Sequence, residues 1–558
     1  DNQRYLPYVF NLTEKHNLML VGMGGKTTAI QSMVYALCSI YDPSRVNIHI
    51  LSYTSRTLGV LSAFPQVGDI LFEGDIIETK RMLNMLADEM KRRIDLFAEA
   101  ATDSFVEYNA ACIRKGRDPV PAIIVMIDRY EQLNAIIKED DFYSARMQAL
   151  IQDGSSRGIH FIATANAVNE ISPAKVRAFF GGIALQMNNR SDYSEVINAR
   201  VAPDMPMLRP TSGRGFGVLN GKVYEIQFGV GGGAYDAPEA FDNLRDTEEY
   251  AIRHMMPAAD ADLDANRAEA IVEYAKRLDE AWEGTRPQQI RRIPQKPTWD
   301  MLFALPEFAD LQKTDFSIPI GYDVVQGTAA SIDITEAPSW MVYGPRKSGI
   351  SNFLKLVARV MQNRGANVHV IGKSDWKQFA DDLGIPLHQT FEEIVAFLKE
   401  FIQECCVPRK DLRKAAIASG KAAARKQAAQ FTPNWCILID NAEMLYAELS
   451  KPEHRQDAQW IQGLLGEVVE TTYFNTSLFI GISSKERAAC QSDPIRRCIG
   501  QERAIALGGK LNEFDVCNIG AALPSRLKSP ALPKGYGFVG VDGTTKQIIV
   551  PLAALENE

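Results

Sequence analysis

Gly22, Gly25, Lys26, Thr27 and Thr28 stand at the end of an apolar run, Leu18–Val21, and have the types and order of a phosphate site. In such a loop glycine backbones bring N–H groups onto phosphate oxygens, the lysine reaches the outer phosphates and the hydroxyl binds Mg2+. A second set, Gly344, Lys347, Gly349 and Ser351, follows Trp340–Tyr343 in the same way. Both depart from the full pattern G-x-x-x-x-G-K-[ST]. The first has two residues between its glycines where four are needed. Either the loop is truncated, or two residues of the natural loop are missing from the sequence as read. The second keeps the length but carries Ile350 where the lysine belongs, with Lys347 as the compensating charge inside the loop.

Two carboxylates extend the pattern. Asp128 ends the apolar run from Ala122, and Asp440 ends the run from Cys436. A carboxylate at the C-terminal end of a buried parallel strand faces the metal of a nucleotide site, so Thr27 and Asp128 are the candidate Mg2+ ligands. A turn or helix-capping aspartate is the alternative reading of each. A hydrolytic site adds a glutamate next in sequence, which polarises water as general base. Here Arg129 and Asn441 stand there, with Glu131 and Glu443 farther on. ATP and Mg2+ are therefore the expected ligands, with empty or weakly occupied sites as the alternative, and hydrolysis is expected to be weak or absent. The first site is expected to bind more tightly, provided its loop has full length. Arg157, ahead of Gly158-Ile159-His160, is a candidate arginine finger toward a neighbouring subunit, or else a surface arginine. His160 reads as a core or strand-edge histidine.

The elements that position these residues occur twice. In each half a strand and glycine loop lead into a helix. Further apolar strands follow, one ending in aspartate, and a glycine-punctuated alternating segment closes the half. The closing segments are 213–228, around an Asn-Gly turn, and 535–543. This order predicts an α/β fold of two tandem P-loop NTPase domains, 1–290 and 291–558, each a mostly parallel sheet flanked by helices. A long helix over 77–96 is expected to turn its Lys and Arg residues away from its apolar face. Residues 260–283 read as an acidic, solvated helix, and 285–297 as a proline-bearing basic connector that cannot continue it.

Composition narrows the function. A chain of 558 residues is too long for one core. Its net charge of −8 argues against a protein that coats nucleic acid. The eight cysteines form no C-x-x-C pair, and buried free thiols are expected. No stretch has the length needed to span a bilayer. The opening Asp1-Asn2-Gln3-Arg4 lacks a signal-peptide layout and an initiator methionine, so the chain is expected to be a piece of a longer protein.

With these residues in place the sequence resembles the FtsK/SpoIIIE class of ring-forming motor ATPases. The resemblance rests on the glycine loop, Ile124–Asp128, Ser156–His160 and Gly213-Arg214-Gly215. The tandem Asp128-Arg129-Tyr130-Glu131 and Asp440-Asn441-Ala442-Glu443, with 505–512 and 532–537, is similar to the second and third ATPase modules of the EssC/EccC coupling ATPases of type VII secretion. That resemblance implies a membrane-anchored parent whose modules hang on the cytoplasmic face, the fully catalytic one lying outside this chain. It also implies partners: small WXG-type helical-hairpin substrates received through a C-terminal signal, further copies in a ring, and other membrane components of the secretion machine. A groove framed by 415–431 is the expected docking place. The rival reading is an FtsK-like DNA translocase, for which the basic stretch 410–426 speaks and the acidic balance does not; nucleic acid is not an expected partner.

Overall fold

A computed structural model describes residues 8–553 except 55, 139, 172–173, 204, 206–207, 209–212, 231–266, 314–316, 335–337, 411–413, 415–417, 419–433, 470–474, 484–491, 501–502, 522 and 542. The proposed groove segment 415–431 lies almost wholly outside the described residues. The chain divides into two compact units, Asp1–Ile290 and Arg291–Glu558.

The first unit holds β1 (Asn17–Val21), β2 (Val46–Ser52), β3 (Val67–Phe72), β4 (Ala122–Asp128), β5 (Ile159–Ala165), β6 (Phe180–Leu185), β7 (Arg214–Leu219) and β8 (Lys222–Gln227). They form one sheet in the order β3-β2-β4-β5-β1-β6-β7-β8, parallel from β3 to β6 and closed by an antiparallel hairpin. The central strands are buried on both faces, which is why they read as unbroken apolar runs. The edge strand β3 was not legible because Gly68 and Asp69 interrupt it. Asp69 is nonetheless buried, accepting the Ile290 N–H at 2.7 Å.

Two helices differ from the sequence expectation. In Ile76–Glu99 the arginines are not all on a solvated face: Arg81 and Arg93 are buried. Arg93 donates to the Arg157 and Pro121 carbonyls, each at 2.8 Å, and pairs with Glu89 at 2.7 Å. Those acceptors satisfy a guanidinium that could not otherwise leave water. The described part of the acidic segment, Arg267–Glu280, is amphipathic rather than solvated. It buries Ile271, Tyr274, Ala275 and Leu278, with the Tyr274 ring 5.2 Å from Tyr35 and 6.1 Å from Phe64.

The second unit holds β9 (Ser317–Asp323), β10 (Ala329–Asp333), β11 (Ser339–Gly344), β12 (Asn367–Ile371), β13 (Leu387–His388), β14 (Trp435–Ile439), β15 (Thr476–Ser483), β16 (Ala504–Gly509), β17 (Leu532–Val541) and β18 (Thr544–Ile549). Their order is β10-β9-β18-β17-β16-β11-β15-β14-β12-β13, antiparallel through β16–β17 and parallel from β16 onward. Alternate residues of β11 feed separate cores, Met341 and Tyr343 into one and Trp340 and Val342 into the other.

Strand register lines up the phosphate-loop strands of the two units residue by residue. Val21 pairs with Ala165 and Ala184, and Tyr343 with Ile482 and Ala506. Gly22 therefore matches Gly344, Thr164 matches Gly481, and Asn166 matches Ser483. Among the described residues no helix is long and apolar enough to cross a membrane, and no group of His, Cys, Asp or Glu is placed to hold a metal by itself. The seven described cysteines are buried and form no disulfide.

Candidate nucleotide sites

In the first unit β1 runs into a glycine turn, and the helix Lys26–Ile40 begins behind it. Gly22 has φ 139°, and a Cβ there would lie 2.8 Å from the Leu185 carbonyl, so no side chain fits. Lys26 Nζ donates to Asn166 Oδ1 at 2.9 Å and to the Gly22 carbonyl. Burial pushes its pKa down, against the pull of Asp128, Glu170 and Glu131. Thr27 Oγ1 donates to Asp128 Oδ2 at 3.2 Å, and Thr164 Oγ1 donates to Asp128 Oδ1 at 2.9 Å. The expected Mg2+ pair is thus in contact, a hydroxyl against a carboxylate that is 1% exposed. A hard cation takes oxygen ligands of this kind, so the residues fit the metal. Thr28 lines the same cavity.

Two features limit this site. The short loop spends its own N–H groups within the protein: Gly22 donates to the Ala165 carbonyl at 3.1 Å and Met23 to the Gln186 carbonyl at 2.8 Å. The cavity over it has a volume of about 210 Å³, below the roughly 300–1,000 Å³ usual for ligand pockets. Arg129 adds a chemical limit. It starts its helix in the left-handed region, φ 72°, and its Nε donates to Glu131 Oε1 at 2.5 Å. Glu131, the alternative base read from the sequence, is therefore held by a guanidinium.

Arg157 precedes the N-terminal end of β5, while the phosphate loop follows the C-terminal end of the parallel neighbour β1. It lies at the opposite edge of the sheet from Lys26 and cannot serve its own loop. Its Nη1 donates to the Asp103 carbonyl at 2.9 Å, and its guanidinium lies 5.6 Å from the Phe97 ring. His160 is buried, with Nδ1 2.7 Å from the His16 carbonyl oxygen and a pKa lowered chiefly by desolvation.

The second unit keeps a longer loop, Gly344 to Gly349, with Lys347 at φ 66° and Gly349 at φ 112°. The Gly535 N–H donates to the Ser348 carbonyl at 3.0 Å and ties the loop to β17. Asp440 is buried, but its partner is new: Trp376 Nε1 donates to Asp440 Oδ2 at 2.7 Å. No hydrogen bond joins Ser351 to Asp440 among the described residues. The side chain that should be lysine is packed instead, since a Cβ on Gly481 would lie 2.8 Å from Ile350 Cγ2 and 3.0 Å from Leu354 Cδ1. The cavity here has a volume of about 620 Å³. Arg346, Lys347, Lys373 and Lys534 line it against the carboxylates Asp440 and Glu443.

The structure places Lys26, Thr27, Thr28 and Asp128 around the first cavity, and Lys347, Gly349, Ser351 and Asp440 around the second. Sequence reading missed Thr164, Asn166 and Trp376, which bond Asp128, Lys26 and Asp440 respectively, and Lys373, Lys534 and Ser483 in the second cavity. Pairing register between the two sheets picks out Thr164, Asn166, Lys373, Lys534 and Ser483, and the hydrogen bond to Asp440 picks out Trp376.

These sheets and sites define a pair of tandem P-loop NTPase domains. Residues 2–213 match the model of the FtsK/SpoIIIE family. Among curated proteins, the ESX secretion system protein YukB of Bacillus subtilis is 22% identical over 564 residues, covering 100% of this chain and 34% of its own length. The chain thus spans about a third of that relative. Among solved structures, EssC (ATPases 2 and 3) from Geobacillus thermodenitrificans has TM-score 0.68 and 17% identity, covering 98% of this chain and 93% of that one. Thermomonospora curvata EccC (ATPases 2 and 3), in complex with a signal sequence peptide, has TM-score 0.66 and 18% identity, covering 99% and 91%. The fold of this chain is that of the tandem EssC/EccC ATPase domains.

Proposed function

We propose that this chain is a nucleotide-binding, regulatory part of a type VII secretion coupling ATPase, with little or no hydrolysis of its own. Units 1–290 and 291–558 are its second and third ATPase-like modules, working on the cytoplasmic face of a membrane-anchored parent. The observation that carries the reading is the pairing at Asp128. The metal-side contacts, Thr27 and Thr164, are intact, while the position of the general base is Arg129, ion-paired to Glu131. In the second unit Asn441 takes that position and Ile350 replaces the lysine. Nucleotide and Mg2+ together supply a compact multivalent charge whose binding energy can order a module without being hydrolysed. Gly25, Lys26, Thr27, Thr28 and Asp128 hold both in the first unit, and the surroundings of Gly344, Gly349, Ser351 and Asp440 hold the nucleotide in the second. Arg157 is proposed as a finger only in trans, in a ring of copies. The partners proposed are small WXG-type substrates bearing a C-terminal signal and the membrane components of the secretion machine. The names of the relatives support this, as does the peptide carried by the EccC structure.

The test is nucleotide titration of the full chain together with steady-state turnover. Binding with turnover well below about one per second is expected. Turnover at or above that motor-like rate, abolished by Lys26→Ala, would reject the regulatory reading.

A further inference from the structure

The second cavity poses a problem of charge. Ile350 removes the lysine that normally faces the outer phosphates, yet this cavity is the larger of the two and has a surplus of cations. Two of these cations come from outside the loop. Lys373 follows β12, and the pairings Ile371 with Ile439 and Ser52 with Asp128 place it where the first unit has Tyr53. Tyr53 is buried, its hydroxyl 3.3 Å from that of Thr79, and offers no charge. Lys534 precedes Gly535, which matches Gly213 by register: Leu507 pairs with Gly537 and Leu185 with Gly215. The bond from Gly535 to Ser348 fixes Lys534 beside the loop. Neither lysine forms an ion pair among the described residues.

A second observation points to a ligand. Ser483 lines the cavity and is 7% exposed, and its Oγ has no hydrogen-bond partner among the described residues. It stands in the place of Asn166, which in the first unit receives Lys26. With no lysine at 350 to bond it, this buried hydroxyl in the cavity wall is left without a partner among the described residues. A buried donor without a partner is costly unless something supplies one. On the metal side, Asp440 Oδ2 accepts the Trp376 indole and no hydrogen bond joins Ser351 to the carboxylate among the described residues, so the hydroxyl–carboxylate pair that fits Mg2+ in the first unit is not formed here.

We infer that the second unit takes the triphosphate of a nucleotide through Lys373 and Lys534, lysines outside its phosphate loop, in place of the one Ile350 displaces, and without a metal ion. This rests on the nucleotide-binding reading above and adds which groups carry the charge. The two units have exchanged positions of charge: lysine on the loop in one, lysines from neighbouring strands in the other.

The test uses the full chain carrying Lys26→Ala, which silences the first site. ATP is titrated by calorimetry in Mg2+ and in EDTA, and inorganic triphosphate is used as competitor. Binding is expected to persist in EDTA and to be displaced by triphosphate. Adding Lys373→Ala and Lys534→Ala should weaken it by roughly tenfold to a hundredfold for each lysine, the usual range for a hydrogen bond to a charged group. Lys534→Arg should retain most of it. Both side chains are exposed, so an unchanged melting temperature checks the fold. The inference is overturned if Lys26→Ala alone abolishes all binding, if EDTA or lack of competition does so for the metal-free triphosphate mode, or if Lys347→Ala removes the binding that the paired lysine variant keeps. The broader reading fails differently, by absence of nucleotide binding in the parent chain or by motor-like turnover.

Discussion

At the scale of single residues, the two aspartates share a strand position and differ in what holds them. Asp128 accepts hydroxyls from Thr27 and Thr164, whereas Asp440 accepts an indole from Trp376. A hydroxyl can rotate away and leave its carboxylate to a cation. An indole N–H is a donor only and must be displaced as a whole ring. Trp376 is fully buried, so that displacement is resisted by packing. Trp376→Phe keeps the ring's apolar bulk and removes the donor. We expect it to destabilise the second unit by about 1–3 kcal/mol, the cost of leaving a buried acceptor unmet. We also expect it to make ATP binding there Mg2+-sensitive, because Asp440 Oδ2 becomes available. Urea unfolding and calorimetry with and without EDTA read the two effects. No loss of stability combined with unchanged Mg2+ response would show that the indole bond does not set the carboxylate's role.

At the scale of elements, the legible parts were those whose environment is uniform. Strands buried on both faces, such as 122–128 and 435–439, show as apolar runs, and a glycine loop before a helix shows as its own pattern. The edge strands β3 and β13 did not show, since an edge strand is short or carries polar residues that only tertiary contacts satisfy. Site residues donated by other strands, Thr164 and Asn166, were invisible for a related reason. Their role depends on register, which a single strand's sequence does not encode. Segment 267–280 misled in the opposite sense, because its many charges mask four apolar positions at helical spacing. Leu278, 1% exposed, tests the corrected view. Leu278→Ala should cost the first unit about 2–5 kcal/mol, as for other buried leucines. A change below about 0.5 kcal/mol, typical of surface positions, would mean the helix is solvated after all.

At the scale of the whole molecule, charge separates the secretion reading from a DNA pump. A translocase tracking a duplex neutralises several phosphates at once, and its affinity falls steeply with salt as counterions are released. This chain carries 69 acidic against 61 basic side chains. Arg346, Lys347, Lys373 and Lys534 line one cavity of about 620 Å³, Lys26 and Arg129 line a smaller one, and Arg93 is buried against Glu89. Such placement suits a small compact anion better than a long rod. A secretion module needs instead to hold a peptide, for which van der Waals packing and a few directed hydrogen bonds suffice. The full chain should therefore leave labelled duplex DNA unshifted at low salt. It should also bind a labelled helical peptide ending in the C-terminal signal of a WXG-type protein, with an affinity that moderate salt changes little. Salt-sensitive DNA binding without peptide binding at up to millimolar concentration, in chain shown to be folded, would reverse the assignment and make the lysines of the second cavity part of a nucleic-acid path.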